Sequence, residues 1–326
     1  MSSQKNQPKA TRHHARNKNR DKYDLGALLI SHPELADYVT PNKNGEDSVD
    51  FSNPMAVRIL NKALLHHYYG IPNWEFPDTY LSPSLPVRAD YIHHVADLLC
   101  ESNFGTIPTG DKITCFDIGV GASCIYPIIG ITEYDWQFIG SDSDPLAIES
   151  ARHIVQSNPS LQDRIECKVQ TNTKDVFYGI IGREDKIDVS ICNPPVHSAT
   201  EELPKGTRKK DKSLTDQHIK AKTLNLTGIH KELLCDGGET KFITNMIRES
   251  KKFAKNCYWF STLVSKQSNL KGIYKALETL EATQIKTIPM GLGNKSSRIV
   301  AWTFLSKEEQ KAWKLTRWKK KAPHKE

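Results

Sequence analysis

Two patterns of apolar and polar positions divide the chain. Between residues 24 and 100 the apolar side chains recur every three or four positions, which is typical of amphipathic helices. The middle helix of this region has clear ends, because Asn53 is a good cap, Pro54 suits the first helical position and Gly70 suits the end. The pattern predicts three helices, at 24–38 with a break near Pro33, at 54–69 and at 87–100.

From about residue 111 short apolar runs alternate with helical segments. This alternation predicts an α/β fold built on a parallel sheet. The last two predicted strands form a close pair joined by a short glycine-containing loop. The predicted strands are 113–118, 136–141, 165–169, 187–192, 257–264, 285–289 and 298–304. The predicted helices between them are 124–129, 145–158, 175–181, 239–254 and 270–282.

The fourth of these strands ends in Asn193-Pro194-Pro195. Two prolines cannot extend a sheet, so they hold a stiff turn past the carboxyl end of the strand, where open α/β sheets bind ligands. Asn193 offers an acceptor oxygen there, and the turn fixes the Pro194 carbonyl. Two fixed acceptors hold both hydrogens of an exocyclic amino group and aim its lone pair at an electrophile. Asn-Pro-Pro followed by an aromatic residue is typical of methyltransferases that act on planar amino groups; here Val196 follows, and a plain strand-ending turn is the alternative. We assign catalysis to Asn193, Pro194, Pro195 and Val196.

A glycine-containing loop, Gly119-Val120-Gly121-Ala122-Ser123, follows the first strand of the sheet. Glycines let the backbone approach a ligand closely. Asp142 follows after about 20 residues, where a carboxylate accepts both hydroxyls of a ribose. This arrangement suits either a dinucleotide or S-adenosylmethionine (SAM). Cys124 replaces the third glycine of dinucleotide loops, and Asp117 lies where SAM enzymes place an acid near the methionine amino group. We therefore expect SAM, bound in part by Asp117, Gly119, Gly121, Ser123 and Asp142.

The net charge of +7 is unevenly distributed. Residues 1–22 carry +6, residues 204–222 carry +5 and residues 307–326 carry +5, which leaves −9 for the rest of the chain. An acidic body with three basic segments is typical of proteins that bind polyanions. The predicted partner is therefore a nucleic acid, although such segments also serve solubility alone.

The seven cysteines are scattered and form no Cys-x-x-Cys pair, which favours reduced thiols in a cytoplasmic setting and no zinc site. The histidine pairs His66–His67 and His93–His94 fall within predicted helices, where adjacent side chains diverge. We therefore expect no metal. No apolar run is long enough to predict a membrane span, and no secretory signal is evident. A monomer is expected.

Several stretches together resemble one known family, the bacterial 23S rRNA adenine-N6 methyltransferases of the RlmF type, which are related to the eukaryotic U6 snRNA adenine methyltransferase. The resemblance covers residues 23–304, and Gly121-Ala122-Ser123-Cys124-Ile125-Tyr126-Pro127 is its most specific part. The other matching stretches include Arg88-Ala89-Asp90-Tyr91-Ile92-His93-His94, Asn193-Pro194-Pro195 and Ser297-Arg298-Ile299-Val300-Ala301-Trp302. The resemblance implies a Rossmann-like, seven-stranded sheet whose last strand inserts antiparallel. It also implies SAM-dependent methylation of N6 of one adenine in 23S rRNA.

By position, the resemblance implies cofactor contacts from Arg88, Gly119, Ser123, Asp142, Thr173 and Asn193. It implies that the N-terminal module and the basic segments grip RNA, and the candidate residues are Arg12, Arg16, Lys18, Arg20, Lys205, Arg208, Lys209 and Lys210. The chain departs from the family at Val196, where an aromatic residue is usual, and in the loop Gly291-Leu292-Gly293-Asn294-Lys295, where glutamine is more frequent.

The expected organisation is a disordered basic arm at 1–22, a helical RNA-binding module at 23–100, a methyltransferase domain at 101–306 and a basic tail at 307–326. Within the domain, the long basic connection 198–236 is interpreted as an RNA clamp, with a solvated insertion as the alternative. In the tail, Trp313 and Trp318 suit either stacking on bases or packing. Two other functions stay open: a SAM- and RNA-binding protein weakened in catalysis by Val196, and a methyltransferase acting on a protein glutamine.

Overall fold

The computed structural model describes residues 13–195, 197–198, 234–235, 237–292 and 295–318. The helices are α1 (Leu25–Ser31), α2 (Pro54–Tyr69), α3 (Leu85–Ser102), α4 (Ile125–Tyr134), α5 (Pro145–Gln156), α6 (Gly238–Ser250), α7 (Leu270–Thr279) and α8 (Lys307–Trp313). The strands are β1 (Val39–Pro41), β2 (Asp47–Val49), β3 (Thr114–Ile118), β4 (Gln137–Asp142), β5 (Ile165–Val169), β6 (Ile187–Cys192), β7 (His197–Ser198), β8 (Leu234–Cys235), β9 (Cys257–Val264), β10 (Gln284–Leu292) and β11 (Lys295–Thr303). In this part of the chain, each helix is too short or too polar to span a bilayer.

A seven-stranded sheet in the order β10-β11-β9-β6-β3-β4-β5 forms the centre of the fold. The five strands from β9 to β5 in this order are parallel to one another, and β11 pairs antiparallel with both β9 and β10. The expected Rossmann-like methyltransferase sheet, with its last strand inserted antiparallel, is therefore confirmed.

Strand β6 is buried along its whole length because both faces of the sheet are covered. Val189 and Ile191 pack in the apolar cluster that includes α2 to α5, whereas Ile187 and Cys192 pack in the cluster with α6 and α7. A rigid, doubly covered strand thus carries the turn that begins at Asn193.

The predicted helix at 175–181 is wrong. The backbone N–H groups of Val176, Phe177 and Tyr178 donate to the Glu249 carboxylate at 2.7–2.8 Å, so a side chain from α6 organises this segment as turns. Residues 42–46 form the tip of the hairpin β1–β2, whose two three-residue strands are too short to give a clear alternation in the sequence.

The N-terminal segment departs from the expected disorder in its described residues, 13–22. His13 Nδ1 and Asn17 Nδ2 both lie 2.6 Å from the Asp90 carboxylate of α3, and the Arg16 guanidinium lies 2.7 Å from that of Asp97. Carboxylates more than 70 residues away in the sequence therefore dock this segment. Residues 1–12, including Arg12, lie outside the described residues.

The described part of the C-terminal tail packs against the amino-terminal edge of the sheet. The indole N–H groups of Trp313 and Trp318 each donate to Asp188 Oδ1 at 2.7 Å, and the Arg317 guanidinium donates to its Oδ2 at 2.7 Å. Both tryptophans are buried. Of the two roles open for these rings, packing is the one that the structure supports.

Candidate active site

The loop between β3 and α4 lies against the end of β4. Gly119 and Gly121 have φ values of +79° and +64°, which side chains rarely adopt, and the N–H groups of Gly119 and Val120 donate to the Ser141 carbonyl at 2.8 and 2.9 Å. Gly140 on β4 permits this approach, because a Cβ at that position would lie 2.9 Å from Val120 Cγ2. The predicted cofactor loop therefore presents its backbone at the carboxyl edge of the sheet.

Asp142 lies at the end of β4 and is fixed by backbone donors. The Gly121 N–H donates to Oδ2 at 3.1 Å and the Asp144 N–H donates to Oδ1 at 2.9 Å. Burial raises the pKa of Asp142, and these backbone donors oppose that shift. Each oxygen keeps acceptor capacity in a fixed direction, which suits two hydroxyl groups of a ribose.

Asp117 lies on β3 below the glycine loop and is fully buried. Within the described chain neither of its carboxylate oxygens has a hydrogen-bond partner. Burial raises the pKa of Asp117 well above its ordinary value; the Asp142 charge adds to this shift and the Arg88 guanidinium opposes it. An unpartnered buried carboxyl group beside a ligand loop fits a cationic group of that ligand.

Asn193 begins the turn after β6, next to β3 in the sheet. Its side chain is exposed, while Pro194 is buried and Pro195 half-buried. Thr173 lies in an exposed turn after β5, and Ser123 is buried in the glycine loop. Because β3, β4, β5 and β6 are parallel, the structure brings the predicted loops to one edge. Val196 lies outside the described residues, so its predicted role stays a prediction.

Two supports of this edge come from the N-terminal module. The sequence indicates no such role for Trp74 or Tyr91, although Tyr91 lies in a stretch that resembles the family. The Trp74 indole N–H donates to the Ser123 carbonyl at 2.8 Å, and the Cys192 N–H donates to the Tyr91 hydroxyl at 3.2 Å. On α3, the Arg88 guanidinium lies 5.6 Å from the centre of the Tyr126 ring. The N-terminal module therefore supports the backbone at this edge of the sheet.

The predicted RNA-binding residues are placed differently. Arg16 pairs with Asp97 at 2.7 Å and Lys18 with Glu133 at 2.8 Å, so internal carboxylates offset both charges. Arg20 is half-buried. The other candidates, Arg12 and Lys205, Arg208, Lys209 and Lys210 of the long connection, lie outside the described residues.

His14, His94 and Asp97 bring three potential metal-ligand atoms within 4.8 Å of one another. Hydrogen bonds already occupy this group: His14 Nδ1 accepts from the Arg16 N–H at 3.1 Å, and His14 Nε2 lies 2.8 Å from Asp97. Because His14 Nδ1 accepts a hydrogen bond, the ring proton lies on Nε2, which donates to one Asp97 oxygen. The Arg16 guanidinium donates to the other Asp97 oxygen. These side chains therefore serve to hold residues 13–17 against α3.

The residues at the carboxyl edge fit SAM. Asp117 would face the methionine ammonium group, Arg88 its carboxylate and Asp142 the ribose hydroxyls, while Gly119 and Gly121 leave room for close approach. This assignment uses one charged side chain for each of these three polar parts of the ligand.

Asp117→Asn should stabilise the ligand-free protein at neutral pH and weaken SAM binding about tenfold, the loss expected for one charge-assisted hydrogen bond. The ordinary pKa of the group is 3.8 and its folded pKa is raised, so folding retains a proton that the unfolded chain releases as the pH rises above that value. The stability difference between variant and parent should therefore shrink toward pH 4. Urea unfolding across pH, with SAM titrations, measures both effects; equal stability of the two proteins at pH 7 would contradict the assignment.

Comparisons with known proteins identify the family of this chain and the fold it shares. The model of the RNA methyltransferase family matches residues 7–306. The Ribosomal RNA large subunit methyltransferase F of Cytophaga hutchinsonii is 53% identical over 94% of this chain and 95% of its own length. That of Photobacterium profundum is 47% identical over 98% and 99%. The human METTL16 catalytic domain in complex with the MAT2A 3'UTR hairpin 1 superposes with a TM-score of 0.75 at 27% identity, covering 91% of this chain and 97% of that one. The N-terminal domain of human METTL16 in complex with SAH gives 0.70 at 27% identity, covering 90% and 99%. With a family model matched over nearly its whole length, this chain belongs to the RNA methyltransferase family.

Proposed function

We propose that this SAM-dependent RNA methyltransferase methylates N6 of one adenine in the 23S rRNA of the large ribosomal subunit. The observation that carries the proposal is the Asn193-Pro194-Pro195 turn at the end of β6, beside the glycine loop of β3. An amide acceptor at this edge suits an exocyclic amino group of a planar base. The relatives named Ribosomal RNA large subunit methyltransferase F support rRNA as the substrate.

The chain's own residues would do the positioning. Asn193 Oδ1 and the Pro194 carbonyl would accept hydrogen bonds from the two N6–H groups. These hydrogen bonds would draw the nitrogen lone pair out of conjugation with the ring and direct it outward. SAM supplies a methyl group already activated by the sulfonium charge. Catalysis therefore depends mainly on alignment and on excluding water. The target base must leave its stack to reach this edge.

The basic connection 199–233 is proposed to hold the RNA backbone, since Lys205, Arg208, Lys209 and Lys210 follow the catalytic turn in sequence. This role does not depend on Arg16 and Lys18, whose charges are offset within the fold. We further propose that the enzyme acts as a cytoplasmic monomer on free rRNA or a partly assembled subunit.

Replacing these four residues with glutamine should reduce the dependence of RNA affinity on salt. The slope of log K against log salt should fall by about 0.7 to 0.9 for each phosphate that the variant no longer neutralises. The control is Lys271→Gln with Lys275→Gln, two exposed positions on α7, which should leave the slope unchanged. An unchanged slope in the fourfold variant would refute the proposed role of this connection in RNA binding. Salt-insensitive substrate binding by the parent would favour a protein glutamine as the substrate.

Val196→Phe should raise kcat/KM for RNA about tenfold, because base–aromatic stacking contributes roughly 1–3 kcal/mol per base. The control Val196→Leu adds apolar volume without a stacking face. A higher kcat/KM for Val196→Phe alone would show that the parent lacks a stacking partner. Equal kcat/KM for the parent and both variants would mean that another group holds the base.

The function itself is tested by transfer from labelled SAM to large-subunit rRNA, followed by digestion to nucleosides. The proposal predicts label in N6-methyladenosine at one position, and its loss from the rRNA of cells lacking the gene. Label in another nucleoside would refute the assigned chemistry. SAM binding with no transfer to any RNA would favour the weakened binding protein.

A further inference from the structure

Cys192, the residue that precedes Asn193, pairs with Ile118 of β3 on one side and is held on the other side from outside the sheet. The pairing of β6 with β9 reaches Ser190 opposite Phe260, whereas β6 continues to Cys192 and β9 to Val264. The last residues of β6 therefore extend past this pairing, just where the catalytic turn begins. Tyr91 from α3 lies at this place, and its side chain is fully buried.

The hydrogen bonds around Tyr91 have a defined direction. Ser261 Oγ lies 2.7 Å from the Ser190 carbonyl and 3.0 Å from the Tyr91 hydroxyl. Since a serine has one hydroxyl proton and the carbonyl can only accept, Ser261 donates to Ser190 and accepts from Tyr91. The Tyr91 oxygen in turn accepts from the Cys192 N–H at 3.2 Å. The Cys192 carbonyl lies farther from the same hydroxyl, at 3.5 Å, so the Tyr91 proton is directed to the closer Ser261 oxygen. The chain runs from the Cys192 N–H through Tyr91 and Ser261 back to β6.

This chain spans the gap between two strands and fixes one peptide. All four groups are buried, so any of them left unpaired would carry a desolvation cost. The Tyr91 ring is itself held edge-on against Tyr126, with 5.5 Å between the ring centres. Arg88 lies three residues earlier on the same face of α3, so one helix face reaches both the predicted cofactor group and the catalytic turn.

We propose that Tyr91 is a positioning residue for methyl transfer, whose hydroxyl fixes the Cys192 peptide and through it the direction of the Asn193 and Pro194 acceptors. This inference rests on the proposed role of the Asn193 turn. It makes the N-terminal module, through α3, a determinant of the chemical step. Tyr91 does not touch the substrate in this role, so its removal affects alignment and leaves cofactor binding intact.

Tyr91→Phe removes one oxygen and retains the ring contact with Tyr126. We expect kcat under saturating SAM and RNA to fall about tenfold or more, because misplacement of a reacting group by ~1 Å costs up to about a hundredfold. The KM for SAM and the affinity for S-adenosylhomocysteine should change less than twofold. The matched control is Tyr258→Phe, a buried tyrosine of β9 whose hydroxyl faces Gln310 of the tail at 3.4 Å, and it should retain kcat.

A wild-type kcat in Tyr91→Phe, or an equal loss in Tyr258→Phe, overturns the inference. A loss of cofactor affinity as large as the loss of kcat overturns it as well, since that would indicate general damage. If thermal unfolding shows that Tyr91→Phe does not fold, Ser261→Ala decides the question; it removes the second link and should lower kcat about threefold with an unchanged KM for SAM.

Asn193→Ala separates the two proposals: if it retains full turnover the proposed function fails, whereas an inactive Asn193→Ala beside a fully active Tyr91→Phe refutes the role of Tyr91 alone.

Discussion

Asn193→Ala is expected to lower the rate of methyl transfer about a thousandfold while SAM affinity stays within about tenfold of the parent. The substitution removes the side-chain acceptor that would hold the adenine amine and leaves the glycine loop and Asp142 in place. Without that acceptor the amine has one hydrogen bond fewer to hold it, and its lone pair stays delocalised in the ring. Single-turnover rates with labelled SAM and rRNA, beside calorimetric SAM titration, measure the two quantities.

Asn172→Ala is the matched control, because Asn172 is an exposed asparagine of the turn after β5, at the same edge of the sheet. Its side chain donates to Asp175 at 2.7 Å and serves the turn alone. It should transfer methyl groups within about threefold of the parent rate. Turnover by Asn193→Ala comparable to that of this control would refute the assigned role of Asn193.

Asp142→Ala is expected to weaken SAM binding about a hundredfold. Hydrogen bonds to a charged group contribute roughly 1.5–3 kcal/mol each, and Asp142 would accept two from the ribose. The substitution also removes the acceptor of the Gly121 N–H, which helps to set the loop. Calorimetric titration of SAM and S-adenosylhomocysteine measures the loss.

Asp142→Glu retains both acceptor oxygens on a longer side chain and should keep SAM affinity within about fivefold, in contrast to alanine. If alanine and glutamate bind SAM equally well, Asp142 does not contact the ribose and the predicted orientation of the cofactor is wrong. Chemical denaturation of each variant shows whether a loss of affinity reflects the contact or the fold.

The parts of the fold that local chemistry determines could be predicted from the sequence. The cap formed by Asn53 accepts from the N–H groups of Met55 and Ala56, and Gly70 ends α2 in the left-handed conformation, as the residue types indicate. The glycine loop, Asp142 and Asn193 were recognisable because each follows a strand end, and parallel strand ends share one edge. The order of the strands within the sheet, by contrast, does not follow from periodicity, because it depends on pairings between segments that are distant in the chain.

The features that the sequence did not reveal depend on distant partners. Residues 13–17 have the composition of a disordered segment, and the carboxylates that dock them, Asp90 and Asp97, lie on α3. The segment 175–181 has helical spacing, yet three of its backbone N–H groups donate to the Glu249 carboxylate instead of forming a helix. Tyr91 occupies an ordinary apolar position of a helix, and only the tertiary fold brings its hydroxyl to Cys192.

A crystal structure of the enzyme with S-adenosylhomocysteine tests the central claim most directly. The account predicts the ribose hydroxyls on the Asp142 carboxylate, the amino group beside Asp117 and the sulfur directed toward Asn193 Oδ1 across an open space large enough for a purine. A ligand whose sulfur faces away from Asn193, or packed side chains in the place assigned to the base, would contradict it.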